Sequence, residues 1–174
     1  MQPKIEEPFI VPADKLARYG SENLYPNTPE LPAYGNGDCP LLPQNLIPTL
    51  GQVKHFVQGS VLYKGSEADR RMPPNGYGFE RYAKIERGTV IFTPNPMGGY
   101  DNNSSGNHVA IFLSYGTYNG EQGIFVIDQY LNRRKDGRQT SGIRFIRAKN
   151  GPVGNPSNNA RAFAVVLAIR PAKR

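Results

Sequence analysis

Apolar positions along the chain fall into two regimes. Up to about residue 58 they are scattered among prolines, whereas from Arg87 onward they gather in short β-rich runs separated by Gly- and Asn-rich turns. Thr89 to Thr93 reads as a strand ended by Pro94, and His108 to Tyr115, Gly123 to Tyr130, Ile143 to Arg147 and Ala162 to Ile169 read as four more. The segment Gly116-Thr117-Tyr118-Asn119-Gly120 between the second and third is a hairpin signal. Upstream, Pro40-Leu41-Leu42 after a turn cluster predicts a helix with Pro40 at its first position, held to a turn or two by Pro43 and Pro48. A second short helix is predicted over Gln52 to Gln58, with Val53, Phe56 and Val57 on one face and His55 at a polar position. Short helices followed by hairpin-connected strands predict an α+β domain, its helices packed on an antiparallel sheet of about five strands.

Residues 1–33 hold six prolines and read as an extended lead segment wrapped over the domain or partly disordered, leaving 34–174 as the main domain. The run from Asn95 to Gly106, rich in Gly and Asn, reads as a lid or a long connection, and Asn132 to Gly142 as a basic, solvated loop. At 174 residues with 19 Gly and 16 Pro, the chain fits one loop-rich globular domain. Its net charge of +7 suits an anionic partner: nucleic acid, a membrane surface or the bacterial cell wall. No basic-aromatic motif organises the ten tyrosines and eight phenylalanines, so no nucleic-acid partner is expected. No run approaches the ~18 apolar residues of a membrane-spanning helix, so stable membrane insertion is not expected either. The start, MQPKIEEPFIVPADK, lacks a basic region followed by an apolar core, which predicts a cytoplasmic protein or one exported by a route that reads no such signal.

One cysteine excludes an internal disulfide, and one Cys with two His cannot fill a structural zinc site; no HExxH or phosphate-cradling glycine motif occurs. No metal or other cofactor is expected. The lone thiol has an informative context. Cys39 follows Gly35-Asn36-Gly37-Asp38 at a predicted helix start, where unpaired amides stabilise a thiolate and can donate to an oxyanion. A cysteine nucleophile needs a base. His108, opening a strand after a flexible Ser-Ser-Gly-Asn run, is placed for that role, whereas His55 belongs to the small helix. The base in turn needs an acceptor to orient it. Asp128 interrupts the apolar run Ile124 to Ile127, where a charge is costly unless paired; Gln129 is the reserve candidate.

Strand register decides whether Asp128 can serve. Pairing it with Ala110 puts it on the face of His108, one position away on the diagonal. A two-residue Asn119-Gly120 turn carried straight through would pair Asp128 with Ile111 and put the two on opposite faces. The constellation therefore requires a longer loop or a bulge.

The sequences GNGDC at a helix start, GTVIF as a strand, NHVAIFL opening on the histidine and IFVIDQY resemble the NlpC-type branch of the papain-like cysteine peptidases. Together with the late AFAVVLAIR strand they look most like a small bacterial family related to the type VI secretion amidase effectors, over roughly residues 34–169. The resemblance implies a papain-like fold and hydrolysis of amide bonds in peptidoglycan stem peptides, with Cys39 as nucleophile, His108 as general base and then acid, and Asp128 as orienter. It also implies a supporting role for Tyr34 at the oxyanion or substrate, delivery into the periplasm of a rival cell, and a cognate immunity protein that plugs the cleft. Two other readings stay open. An acyltransferase would use the same triad, and a non-catalytic basic module would hold a wall polymer through Arg133, Arg134, Lys135 and Arg138.

Overall fold

The computed structural model describes residues 4–22, 24–26, 30–64, 80–81, 84–102, 106–149 and 155–171. In chain order these form β1 (Lys4–Pro8), α1 (Ala13–Ala17), β2 (Leu31–Pro32), α2 (Leu41–Leu46), β3 (Val57–Val61), β4 (Tyr63–Lys64), β5 (Glu80–Arg81), β6 (Val90–Phe92), β7 (Val109–Tyr118), β8 (Glu121–Lys135), β9 (Arg138–Arg147) and β10 (Ala164–Pro171). The main sheet runs β1-β10-β6-β7-β8-β9-β2, with β3 also pairing β10, while β4 and β5 make a separate two-stranded ribbon. Every pairing in the main sheet is antiparallel, and the helices are few and short, so the class is α+β.

The five expected strands correspond to β6 through β10, and β1, β2 and β3 enlarge the sheet to eight. Proline masked two of these. Pro8 and Pro32 lie in β1 and β2, which end the sheet on either side, and an edge strand tolerates a residue that cannot donate to the ladder. The described residues of the lead segment are part of the domain: Phe9, Val11, Leu16 and Tyr19 are buried in its core. The helix expected over Gln52 to Gln58 is a single 3₁₀ turn, Val53–His55, followed by β3. Gly59 is part of the reason, because a Cβ there would lie 2.8 Å from Leu167 Cγ; without one, β3 can lie close against β10. The Asn132 to Gly142 run forms the paired ends of β8 and β9, reversing at Asp136-Gly137, both in the left-handed region. It escaped the strand reading because its outward positions are charged on both faces.

Alternation along β7 splits two cores. Val109, Ile111 and Leu113 face Leu42 and Leu46 of α2, together with Leu50 and Phe56, while Ala110 and Phe112 face Leu62, Tyr63 and Phe163. The β7–β8 hairpin meets the register requirement through a bulge. Its turn is the tight one, Asn119 and Gly120 both having positive φ, and the pairs from Tyr118↔Glu121 to Ser114↔Phe125 follow from it. Between Ser114 and Phe112 the register shifts, leaving Leu113 as the extra residue, and Phe112 then pairs with Val126 and Ile111 with Ile127. Continuing that register brings Asp128 to the face of His108.

Candidate active site

Cys39 sits in a turn fixed by its own short side chains and by β8. Gly37 has φ +87, and a Cβ on it would lie 2.9 Å from the Gln139 side chain, so glycine is needed there. Asn36 Oδ1 accepts from the Asp38 amide at 3.0 Å and Tyr34 O from the Gly37 amide at 3.1 Å. Pro40 stands at the cap of α2 rather than inside it, and the helix runs for six residues. Gln129 clamps the turn: its Oε1 accepts from Tyr34 N at 2.8 Å, and its Nε2 donates to Tyr34 O at 3.0 Å and Asp38 O at 2.9 Å. Gln129 is fully buried. Gln129→Leu is expected to strand these backbone groups and lower stability by about 1–3 kcal/mol, measured by chemical denaturation.

His108 is fixed at the start of β7 by two backbone contacts. Its amide donates to Thr93 Oγ1 at 2.8 Å and its carbonyl accepts from Thr93 N at 3.0 Å. The ring stands edge-on to Tyr130 and Phe163, and its Nε2 lies 2.8 Å from Asp128 Oδ2. That leaves Nδ1 on the side away from Asp128, and Cys39 lies close enough to act on the imidazole. Burial by itself lowers the His108 pKa, but the bond to Asp128 and the influence of Asp128 and Cys39 outweigh it and raise it above the ordinary 6.5.

Asp128, buried without solvent contact, is held by two further cations that the sequence reading did not assign to it. Arg144 Nε donates to Oδ2 at 2.7 Å and Arg133 Nη1 to Oδ1 at 3.1 Å. Burial alone would push this carboxyl up; the Arg144 guanidinium, the bond and charge of His108 and the Arg133 guanidinium hold it well below the usual carboxylate range. Arg133 was read as part of a solvated basic loop, yet it is 4 % exposed, whereas Arg134, Lys135 and Arg138 are exposed. The cause is a wide bulge in which four residues of β8, Tyr130 to Arg133, lie opposite Thr140 alone and turn the Arg133 side chain inward. Arg144 also donates to Asn158 Oδ1 at 3.2 Å and Ser157 O at 3.3 Å and lies over the Tyr130 ring, tying the 155–158 loop to the carboxylate. The available cue was β9 itself: a carboxylate within an apolar strand calls for a cation on its neighbour.

Cys39, His108 and Asp128 are thus brought together, and Cys39 and His108 line one cleft of about 620 Å³. The cleft walls carry Asn36, Asn102, Asn107, Asn155, Ser157 and Asn158, neutral groups that can both donate to and accept from a peptide backbone. Tyr34 and Gln129 do not line it; Tyr34 packs against the core and reaches Tyr19, and both residues shape the Cys39 turn. His55 is exposed at the end of its 3₁₀ turn and does not line the cleft. Tyr100, missed in the sequence, has its hydroxyl 3.4 Å from Cys39 Sγ. Its signal was buried in a glycine-rich loop that promised only flexibility. Chemically, a thiol beside an imidazole whose far nitrogen is bound to a buried carboxylate can attack a carbonyl and pass the proton to a leaving group.

No protein-family model matches the chain, and no curated protein matches it. A solved structure described as type 6 secretion amidase effector 2 (Tae2) superposes with a TM-score of 0.55 at 30% sequence identity, covering 88% of this chain and 99% of that chain. With that identity sustained over nearly the full length of the other protein, the chain belongs to the type 6 secretion amidase effectors.

Proposed function

We propose that the protein is a cysteine amidase or endopeptidase that hydrolyses amide bonds in peptidoglycan stem peptides, on a papain-like, NlpC-type frame. The observation that carries this reading is the convergence of Cys39, His108 and Asp128, far apart in sequence, with Cys39 and His108 opening into one cleft. In the mechanism, His108 Nδ1 takes the thiol proton as Sγ attacks the carbonyl carbon. The same nitrogen then gives that proton to the departing amine, leaving a thioester on Cys39. Water, deprotonated by His108, attacks the thioester and releases the acid. Asp128 fixes the ring and balances the imidazolium that forms at each step.

The amidase name of the similar structure supports an amide as the bond cut. The net charge of +7 supports an anionic wall as the surface on which the protein concentrates, and the amide-rich walls of the cleft suit a peptide. In this reading the protein is delivered to the periplasm of a rival cell, and a cognate immunity protein protects the producer by covering the cleft. The test is digestion of purified peptidoglycan followed by mass spectrometry of the soluble products. Paired new amino and carboxyl termini on stem peptides are expected. Products cut only in the glycan, or none at all, would overturn the proposal.

A further inference from the structure

When a thiolate adds to an amide, negative charge develops on the carbonyl oxygen, and donors already aimed at that position supply a large share of the rate. Among the described residues, two groups beside Cys39 are candidates for that donation. One is its own backbone amide, one of the amides at the helix start, but that amide donates to Asp38 Oδ1 at 3.0 Å. The other is the hydroxyl of Tyr100, 3.4 Å from Sγ, which donates to Asn107 Oδ1 at 3.1 Å.

Tyr100 is held rigidly for a residue of a glycine-rich loop. Its ring packs against Phe56 and Phe92, at centroid distances of 6.1 and 6.4 Å. The loop before it is folded on Asn95, whose Oδ1 accepts from Met97 N at 2.8 Å and Gly99 N at 3.0 Å, and whose Nδ2 donates to Asp101 Oδ1 at 2.7 Å. A hydroxyl anchored in this way, 3.4 Å from Sγ, is placed before substrate arrives within reach of an oxygen bonded to the carbon that Sγ attacks. Asn107, which accepts from this hydroxyl, lines the cleft.

We propose that Tyr100 is a catalytic residue whose hydroxyl donates a hydrogen bond to the carbonyl oxygen as Cys39 adds to the substrate. The Sγ–C bond forms, the carbonyl π pair moves onto oxygen, and that oxygen accepts from Tyr100; the hydroxyl keeps its proton throughout, while the thiol proton travels through His108 to the amine. Burial and the neighbouring Cys39 raise the Tyr100 pKa far above its ordinary value, so the group is a donor at every pH at which the protein works. The assignment rests on the cysteine amidase reading above.

Tyr100→Phe keeps the ring and its packing and removes only the donor. Two reactions of the same sulfur separate its roles. Amide hydrolysis passes through an oxyanion, whereas alkylation by iodoacetamide is a direct displacement at carbon and forms none. In Tyr100→Phe, kcat on a stem peptide is expected to fall by about 100-fold or more, with KM changed by less than about twofold, and alkylation of Cys39 is expected to keep its wild-type rate. Unchanged kcat in the variant would overturn the assignment alone. Equal losses in hydrolysis and alkylation would also overturn it, by making Tyr100 a support for the thiol. A wild-type protein that cuts no amide bond would overturn the underlying amidase reading and this assignment with it.

Discussion

Cys39→Ala and His108→Ala are each expected to reduce amide hydrolysis by at least about a thousandfold while the protein stays folded. The first removes the only thiol in the chain, and with it the nucleophile of the proposed mechanism. The second removes the group that, in the proposed mechanism, both accepts the thiol proton and delivers it to the amine, a role worth about 10²–10⁴ by itself. Because the two act as a unit, the double variant is expected to be no slower than the worse single one. The site keeps its other supports in both variants: the backbone of residue 108 remains bonded to Thr93, and Asp128 remains bound to Arg133 and Arg144. Initial rates on stem peptides, with melting curves alongside, check this. Substantial turnover by either folded variant would contradict the assigned roles.

Asp128 gives the second large effect, on stability. Asp128→Ala leaves two guanidinium groups facing a site without its carboxylate, and loss of one member of a buried ionic cluster costs about 3–5 kcal/mol. For a chain of this size that corresponds to a fall in melting temperature of roughly 6–20 °C. Asp128→Asn is milder, since it keeps an acceptor for His108, and it is expected to slow turnover less than His108→Ala does. It also isolates the pH dependence. The folded-state pKa of Asp128 is depressed, so its contribution is fully present above the ordinary carboxylate value of 3.8 and is lost as pH falls below it. The folded-state pKa of His108 is raised, so its contribution is fully present below 6.5 and is lost as pH rises through the elevated value. The pair therefore stabilises the fold most between about pH 4 and pH 6.5. Wild type is expected to lose stability on acidification below that window, and Asp128→Asn to lose less. Parallel stability curves for the two proteins would contradict the charged pairing.

Residues that announce themselves chemically were legible in the sequence. A thiol after Gly-Asn-Gly-Asp, a histidine at a strand start and a carboxylate inside an apolar strand are each improbable as packing elements, and the structure brings these three together. The hairpin arithmetic further required a longer loop or a bulge, and the bulge at Leu113 meets that requirement. What stayed hidden depends on surroundings that local pattern does not encode. Pro8 and Pro32 look like breaks in extended chain until their strands prove to be sheet edges. Arg133 looks like one member of a solvated basic run until the wide bulge in β8 turns it inward, and Arg144 looks like an outward polar position of β9 until its neighbour proves to be Asp128. Tyr100 reaches Cys39 only because the Asn95 network folds a loop whose composition suggested mobility.

The most direct measurement of cysteine dependence uses the fact that the chain has one sulfhydryl. The protein is treated with increasing iodoacetamide, the modified fraction is read by intact mass, and hydrolysis of stem peptides is measured on the same samples. The account predicts that activity falls in direct proportion to the fraction of Cys39 alkylated and reaches zero at complete modification. Hydrolysis that survives full alkylation of Cys39 would contradict it.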